Sequence, residues 1–198
     1  FRPVDFSFGL DGALYVSDFY YPIIGHAQHS IRDKNRDYTN GRIWRVTRKG
    51  VELSKAPEIK DASMKELFDL LTHPQVRVRE LAREQLENHP VEKVLKMAKS
   101  MVPMADENGL IGLELLWLFE RAKDFSQKDL FKKLLVSKSP EIRHAATRSI
   151  RWWAPILGKQ AHQIASDLWQ AGDIRTQVTL ISVASYLREE DTFWEDFI

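Results

Sequence analysis

The 198-residue sequence predicts a mainly α fold, an α-solenoid of about four helix pairs preceded by a short antiparallel β-meander. Three observations lead there. The hydrophobic period is two over roughly the first fifty residues and 3.6 from Ser63 onward. The second part repeats itself with a period in the range of α-solenoid repeats. Residues 1–60 also hold nine of the 21 aromatic side chains and five of the nine glycines, a β-type bias that the remainder lacks.

In the first part Val4, Phe6 and Phe8 alternate with Asp5 and Ser7, and Leu14 and Val16 alternate again after Asp11-Gly12. Asp-Gly between two alternating runs is a hairpin signal, because both residues tolerate positive φ. A third run, Ile43 to Thr47, follows Asn40-Gly41. Residues 1–50 therefore read as a three-stranded meander with one long loop over residues 19–40. Three such strands are marginal alone and need a covering layer, either the helices that follow or further sheet.

Residues 51–62 contain Pro57, show no sustained period and read as a linker. From 63 to 198 the pattern is helical. Leu67, Leu70 and Leu71 share a face and Thr72-His73-Pro74 stops the helix. Val78, Leu81, Ala82 and Leu86 form the next stripe, which Asn88-His89-Pro90 ends. Further helices are predicted over 91–101, 109–122, 127–137, 141–153, 159–171 and 174–188. Val78-Arg79…Ala82…Leu86 returns two repeats later as Ile142-Arg143…Ala146…Ile150, with single steps at Leu110-Ile111 and Ile174-Arg175…Val178. The small residue allows a close helix approach, and the arginine is placed to bond the neighbouring repeat. The second repeat lacks that arginine and is apolar almost all round from Leu110 to Phe119, as a helix buried mid-stack would be.

Composition narrows the function classes. With 29 basic and 28 acidic groups the net charge is +1, which gives no reason to expect nucleic acid or an acidic membrane as partner. That charge divides into ten basic and seven acidic groups over residues 1–60 and 19 and 21 over the rest, a shift too small for electrostatic steering. Zero cysteine excludes disulfides, thiolate metal sites, covalent c-type haem and a cysteine nucleophile from this stretch. The longest apolar run, Leu115 to Phe119, cannot span a bilayer. No signal peptide is visible, and a chain opening on Phe1 reads as a piece of a longer protein.

The helical motifs, Pro74…Val78-Arg79…Ala82…Leu86 and Pro140…Ile142-Arg143…Ala146…Ile150, resemble HEAT-like repeats. Residues 1–50 resemble the last propeller-blade segment of large bacterial, planctomycete-type dehydrogenase-like proteins related to soluble glucose and sorbosone dehydrogenases. Arg2-Pro3-Val4-Asp5, Asp11-Gly12-Ala13-Leu14-Tyr15-Val16, Ile24-Gly25-His26, Arg32-Asp33…Arg36-Asp37 and Gly41-Arg42-Ile43-Trp44-Arg45 carry the likeness. Such proteins typically continue into HEAT-like repeats and a c-type cytochrome module. The family often has histidine where this chain has Asn40, so no role of that histidine is carried over, and Cys-x-x-Cys-His is absent. The resemblance implies a partial blade, an extracytoplasmic setting, and a parent protein holding a PQQ-like quinone, calcium and haem c outside this segment.

Loop 19–40 is where chemistry would concentrate, and its candidate ligand-binding residues are Tyr20, Tyr21, His26, His29, Arg32, Asp33, Arg36 and Asp37. Asp33-x-Asn35-x-Asp37-x-Thr39 has the alternating oxygens of half a calcium loop. Tyr38 replaces the glycine such a loop needs, Trp44 replaces its bidentate glutamate, and three cations are interleaved, so a solvated turn is the plainer reading. His26 and His29, with Asp18 or Asp33, would suit a metal only if the loop turned helically. Arg143, Arg148 and Arg151 make a basic stripe, a candidate interaction face or a solvated one. Trp152-Trp153 reads as one core tryptophan and one lying over the next turn, ahead of a ligand platform. The four helical histidines read as structural or solvated. No phosphate loop, nucleophile elbow or metalloprotease motif is present. The expected role is a non-catalytic scaffold or protein-interaction segment whose partner is the remainder of its parent chain or another protein. The alternative is that loop 19–40 contributes to a quinone-dependent sugar or alcohol dehydrogenase site completed by further blades.

Overall fold

The structure, a computed structural model, describes residues 1–19, Lys34, 40–106 and 109–187. Three strands, β1 (Pro3–Phe8), β2 (Leu14–Asp18) and β3 (Arg42–Val46), form an antiparallel sheet in the order β1-β2-β3. The register sets Phe6, Val16 and Trp44 in one row and Phe8, Leu14 and Val46 in the next. Period two therefore gathers these apolar side chains on one face and puts Ser7, Tyr15 and Arg45 on the other. The hairpin turn is held by Asp11, whose Oδ1 accepts the Ala13 N–H at 3.0 Å, and by Gly12 at φ +79°. At the other end, buried Asp18 accepts the Arg2 N–H at 2.7 Å and the Trp44 indole N–H at 2.8 Å.

Eight helices follow among the described residues. They are α1 (Met64–Leu70), α2 (Val76–Leu86), α3 (Val91–Met101), α4 (Gly109–Arg121), α5 (Lys128–Leu135), α6 (Pro140–Leu157), α7 (Lys159–Ala171) and α8 (Ile174–Val183). Short 3-10 turns follow α3 and α8. Ser63 and Glu66 start α1 as a reciprocal capping box, and Asp173 caps α8 by accepting the Arg175 and Thr176 N–H groups. Consecutive helices pack as four antiparallel pairs, α1 with α2 through α7 with α8, and the second helices α4, α6 and α8 stack side by side. A mainly α fold with a short β-meander is thus what the chain adopts.

Helix α4 is the centre of the stack. Its residues from Ile111 to Leu116, with Leu118 and Phe119, are all buried. Val78, Ala82, Ala146 and Ile150 are likewise fully enclosed, matching the repeat phase. In α8 the corresponding Ile174 and Val178 are exposed while Thr176, Thr179, Leu180 and Val183 are buried, because among the described residues no helix follows α8 to cover that side. Helix α6 runs past the predicted stop at 153. Pro155 falls in its last turn, yet Ile150, Trp153, Ala154 and Leu157 continue one buried stripe that holds the helix until Gly158 at φ +53°. Helix α8 is shorter than predicted and tightens into a 3-10 turn at Ala184. The linker is pinned at two points: Ile59 joins the helical core, and the Ser54 N–H donates to the Asp11 carbonyl at 3.1 Å.

The sheet meets the helical part chiefly at its hairpin turn, where Leu10 packs on the core. The rest of its apolar face has no cover among the described residues. Phe6 is 70% exposed and Phe8 64%, and Val4, Trp44 and Val46 are also exposed.

Candidate functional site

Tyr20, Tyr21, His26, His29, Arg32, Asp33, Asn35, Arg36, Asp37, Tyr38 and Thr39 lie outside the described residues. Of the sheet that frames loop 19–40, the polar face is organised around Asp11. Its Oδ2 accepts from the Arg45 guanidinium at 2.6 Å and from the Tyr15 hydroxyl at 3.1 Å. The hydrogen bond from Arg45 holds the Asp11 carboxyl below its ordinary value. The opposite face presents the uncovered row of Phe6, Phe8, Trp44 and Val46. One sheet therefore carries a tied polar side and an open apolar side.

Within the stack the repeat arginines behave as a matched set. Arg79 Nη1 donates to the His73 carbonyl at 2.7 Å and the Pro74 carbonyl at 3.2 Å. Arg143 Nη1 donates to the Ser137 carbonyl at 2.7 Å and the Lys138 carbonyl at 3.2 Å, the same bonds two repeats further on. Each arginine then reaches the next pair, Arg79 Nε to Glu114 at 3.0 Å and Arg143 Nη2 to Asp173 at 2.7 Å. Glu114 is fully buried and also bonds Arg83, which stacks over Trp117 at 4.8 Å. The signal for this cluster in the sequence was a lone acid inside the apolar run 110–119. The hydrogen bond from Arg143 keeps the Asp173 carboxyl below its ordinary value. The predicted basic stripe thus divides: Arg143 ties two repeats, Arg148 faces solvent, and Arg151 lies 5.1 Å from the Trp152 ring centre with its Nε buried and unbonded.

The tryptophan pair also divides. Trp153 is fully buried, stacked on Phe131 at 4.7 Å and edge-on to Phe125 at 5.1 Å. Its indole N–H donates to Glu120 at 2.8 Å, and burial raises the Glu120 carboxyl above its ordinary value. Trp152 is 53% exposed and, with Trp117 and Phe125, walls an open groove of about 520 Å³ between the ends of α4 and α6. Glu120, Arg121 and Lys123 supply its polar groups. The helical histidines serve packing: His73 Nδ1 accepts the Gln75 N–H at 3.1 Å, His144 pairs with Thr179 at 2.7 Å, and His162 with the Leu187 carbonyl at 2.6 Å.

Among the described residues no three His, Asp or Glu side chains converge as metal ligands would, and no helix is long and apolar enough to cross a membrane. Two surfaces stand out among the described residues, an exposed apolar sheet face and an aromatic groove rimmed by Arg121 and Lys123.

A family model described as a domain of unknown function, DUF7133, matches residues 1–50, the stretch from Phe1 to the end of the turn after β3. No curated protein and no solved structure matches the chain.

Proposed function

We propose that the chain is a non-catalytic scaffold and protein-interaction segment of a larger extracytoplasmic dehydrogenase. In this reading the sheet docks against further β-structure and the helical stack is a spacer towards an electron-accepting module. Quinone, calcium and haem c would be held elsewhere in that parent. The supporting observation is the open face of Phe6, Phe8, Trp44 and Val46, beside a helical part that already encloses its own core. An uncovered apolar patch of this kind is the usual mark of an interaction surface.

Amide hydrogen exchange tests the reading. In a longer chain carrying the upstream sequence, the amides of β1 and β3 are expected to exchange about tenfold or more slowly than in this chain alone, because docking removes local opening. Equal exchange in both chains sinks the docking. Sugar oxidation by this chain alone with added quinone and calcium would instead place loop 19–40 in an active site.

A further inference from the structure

Where the second helix pair meets the third, an enclosed acid faces a donor that the fold leaves unused. Glu120, in the last turn of α4, is half-buried, accepts the Trp153 indole N–H at 2.8 Å and shares a hydrogen bond with the Ser149 hydroxyl. Ser149 and Trp153 are both buried on α6. Arg151 stands between them in the sequence. Its guanidinium lies over Trp152, 5.1 Å from the ring centre, and its Nε is buried with no hydrogen-bond partner. Buried donors are almost always bonded, so an orphaned guanidinium N–H on the helix facing a carboxyl calls for a reason.

The two protonation states of Glu120 supply one. When neutral, the carboxyl donates its own O–H to Ser149 and accepts from Trp153, so it is satisfied where it stands and makes no claim on a cation. When ionised, it is left with neutral donors in a joint walled by Phe125 and Trp153, where burial disfavours the charge. A charge-assisted bond from a guanidinium is stronger than a neutral one and than a cation resting on an exposed ring. Of the charged groups around Glu120, Arg121 is paired with Glu87 and Asp124 with Lys99, while Lys123 stands at the groove rim. The third pair presents Phe131 from α5 and Arg151 from α6, and the charge of Arg151 acts on Glu120. Glu120 also lines the open groove beside Trp152, so its proton exchanges directly with water.

We propose that Glu120 and Arg151 form a proton-operated latch across the joint between the second and third helix pairs. With Glu120 neutral, Arg151 rests on Trp152; with Glu120 ionised, Arg151 Nε turns to the carboxylate and leaves the Trp152 ring. Rising pH thus adds an ion pair to a joint packed mainly by apolar side chains, and uncovers one wall of the groove.

Heteronuclear NMR of the isotope-labelled full chain, titrated from about pH 4 to about pH 7, reads each part of the latch through its own side-chain N–H. The Trp153 indole, the Arg151 Nε–H and the Trp152 indole are expected to shift together with one midpoint, above the ordinary value of 4.5. Glu120→Gln is expected to hold all three at their low-pH positions. Arg151→Gln, at a half-buried position, is an independent arm: Trp153 still titrates, with its midpoint moved further up because the carboxylate has lost its cation, and Trp152 stops responding. A Trp153 signal that titrates while Arg151 Nε–H and Trp152 stay still would mean that water alone meets the charge, and would overturn the proposal. So would shifts that persist in Glu120→Gln, a Trp152 response that survives Arg151→Gln, or a Trp153 signal that does not titrate in this range.

Discussion

Gly112 lies in the middle of α4, where glycine weakens a helix by about 1 kcal/mol relative to alanine. A Cβ at this position would stand 2.8 Å from Leu134 Cδ2 and 3.5 Å from the Ala105 Cβ, so the missing methyl is what lets α5 close on α4. Gly112→Ala is therefore expected to lower stability by about 1–2 kcal/mol through overpacking, outweighing the gain in helix propensity. A urea midpoint that rises instead would show that α4 and α5 are not in so close a contact. Glu120 makes a prediction of the opposite sign. Burial raises its folded pKa above the ordinary value of 4.5, so the folded state binds this proton more tightly than the unfolded chain does. The favourable contribution is complete below the unfolded value and is lost as pH rises through the folded one. Glu120→Gln keeps an acceptor for the Trp153 N–H and is expected to stabilise the protein at about pH 7 while doing nothing at about pH 3.5. A gain of equal size at both pH values, read by urea unfolding, would remove burial as the cause.

Between elements, the arginine bonds show how far a repeat motif determines structure. Arg79 and Arg143 make identical bonds to their own pair's loop, but their outward partners differ: Glu114 is buried in mid-helix, whereas Asp173 caps α8 and is about one-third exposed. Glu114→Gln is expected to cost about 3 kcal/mol, because it leaves two enclosed guanidinium groups without their counter-charge. Asp173→Asn retains a capping side chain and is expected to cost far less than Glu114→Gln, and only above the pH at which Asp173 ionises. Equal losses from the two, measured by chemical denaturation at neutral pH, would show that burial of Glu114 does not set its cost. The repeat phase was legible because Val78-Arg79…Ala82 and Ile142-Arg143…Ala146 recur in register. The Glu114 cluster was legible only as an anomaly, a single acid among leucines. Its partners lie 35 and 31 residues away, on a helix whose register against α4 periodicity along one chain cannot specify. The extension of α6 through Pro155 was hidden for a related reason: the stripe that overrides the proline becomes evident once its burial is known.

Across the whole molecule, alternation in Val4, Phe6 and Phe8 correctly marked a strand with one apolar face but said nothing of what covers it. A covered and an uncovered face have the same pattern, so the openness of this sheet is a property of the assembled chain. The Trp117–Trp152 groove was invisible in sequence on similar grounds, since its walls come from two helices and a loop in different repeats. The placing of the arginine bonds has a mechanical consequence as well. They join the first pair to the second and the third to the fourth, while the second and third meet through apolar packing, Gly109 of α4 on Ile142 and Gly112 on Leu134, with Trp153 edge-on to Phe125 and hydrogen bonds from Trp153 and Ser149 to Glu120. Fixed-geometry ion pairs resist twist, whereas stacked apolar surfaces allow small sliding. Among the described residues the helical stack is thus tied by ion pairs within its two halves and by apolar packing at the middle joint, and any load carried along it would be taken up there as curvature.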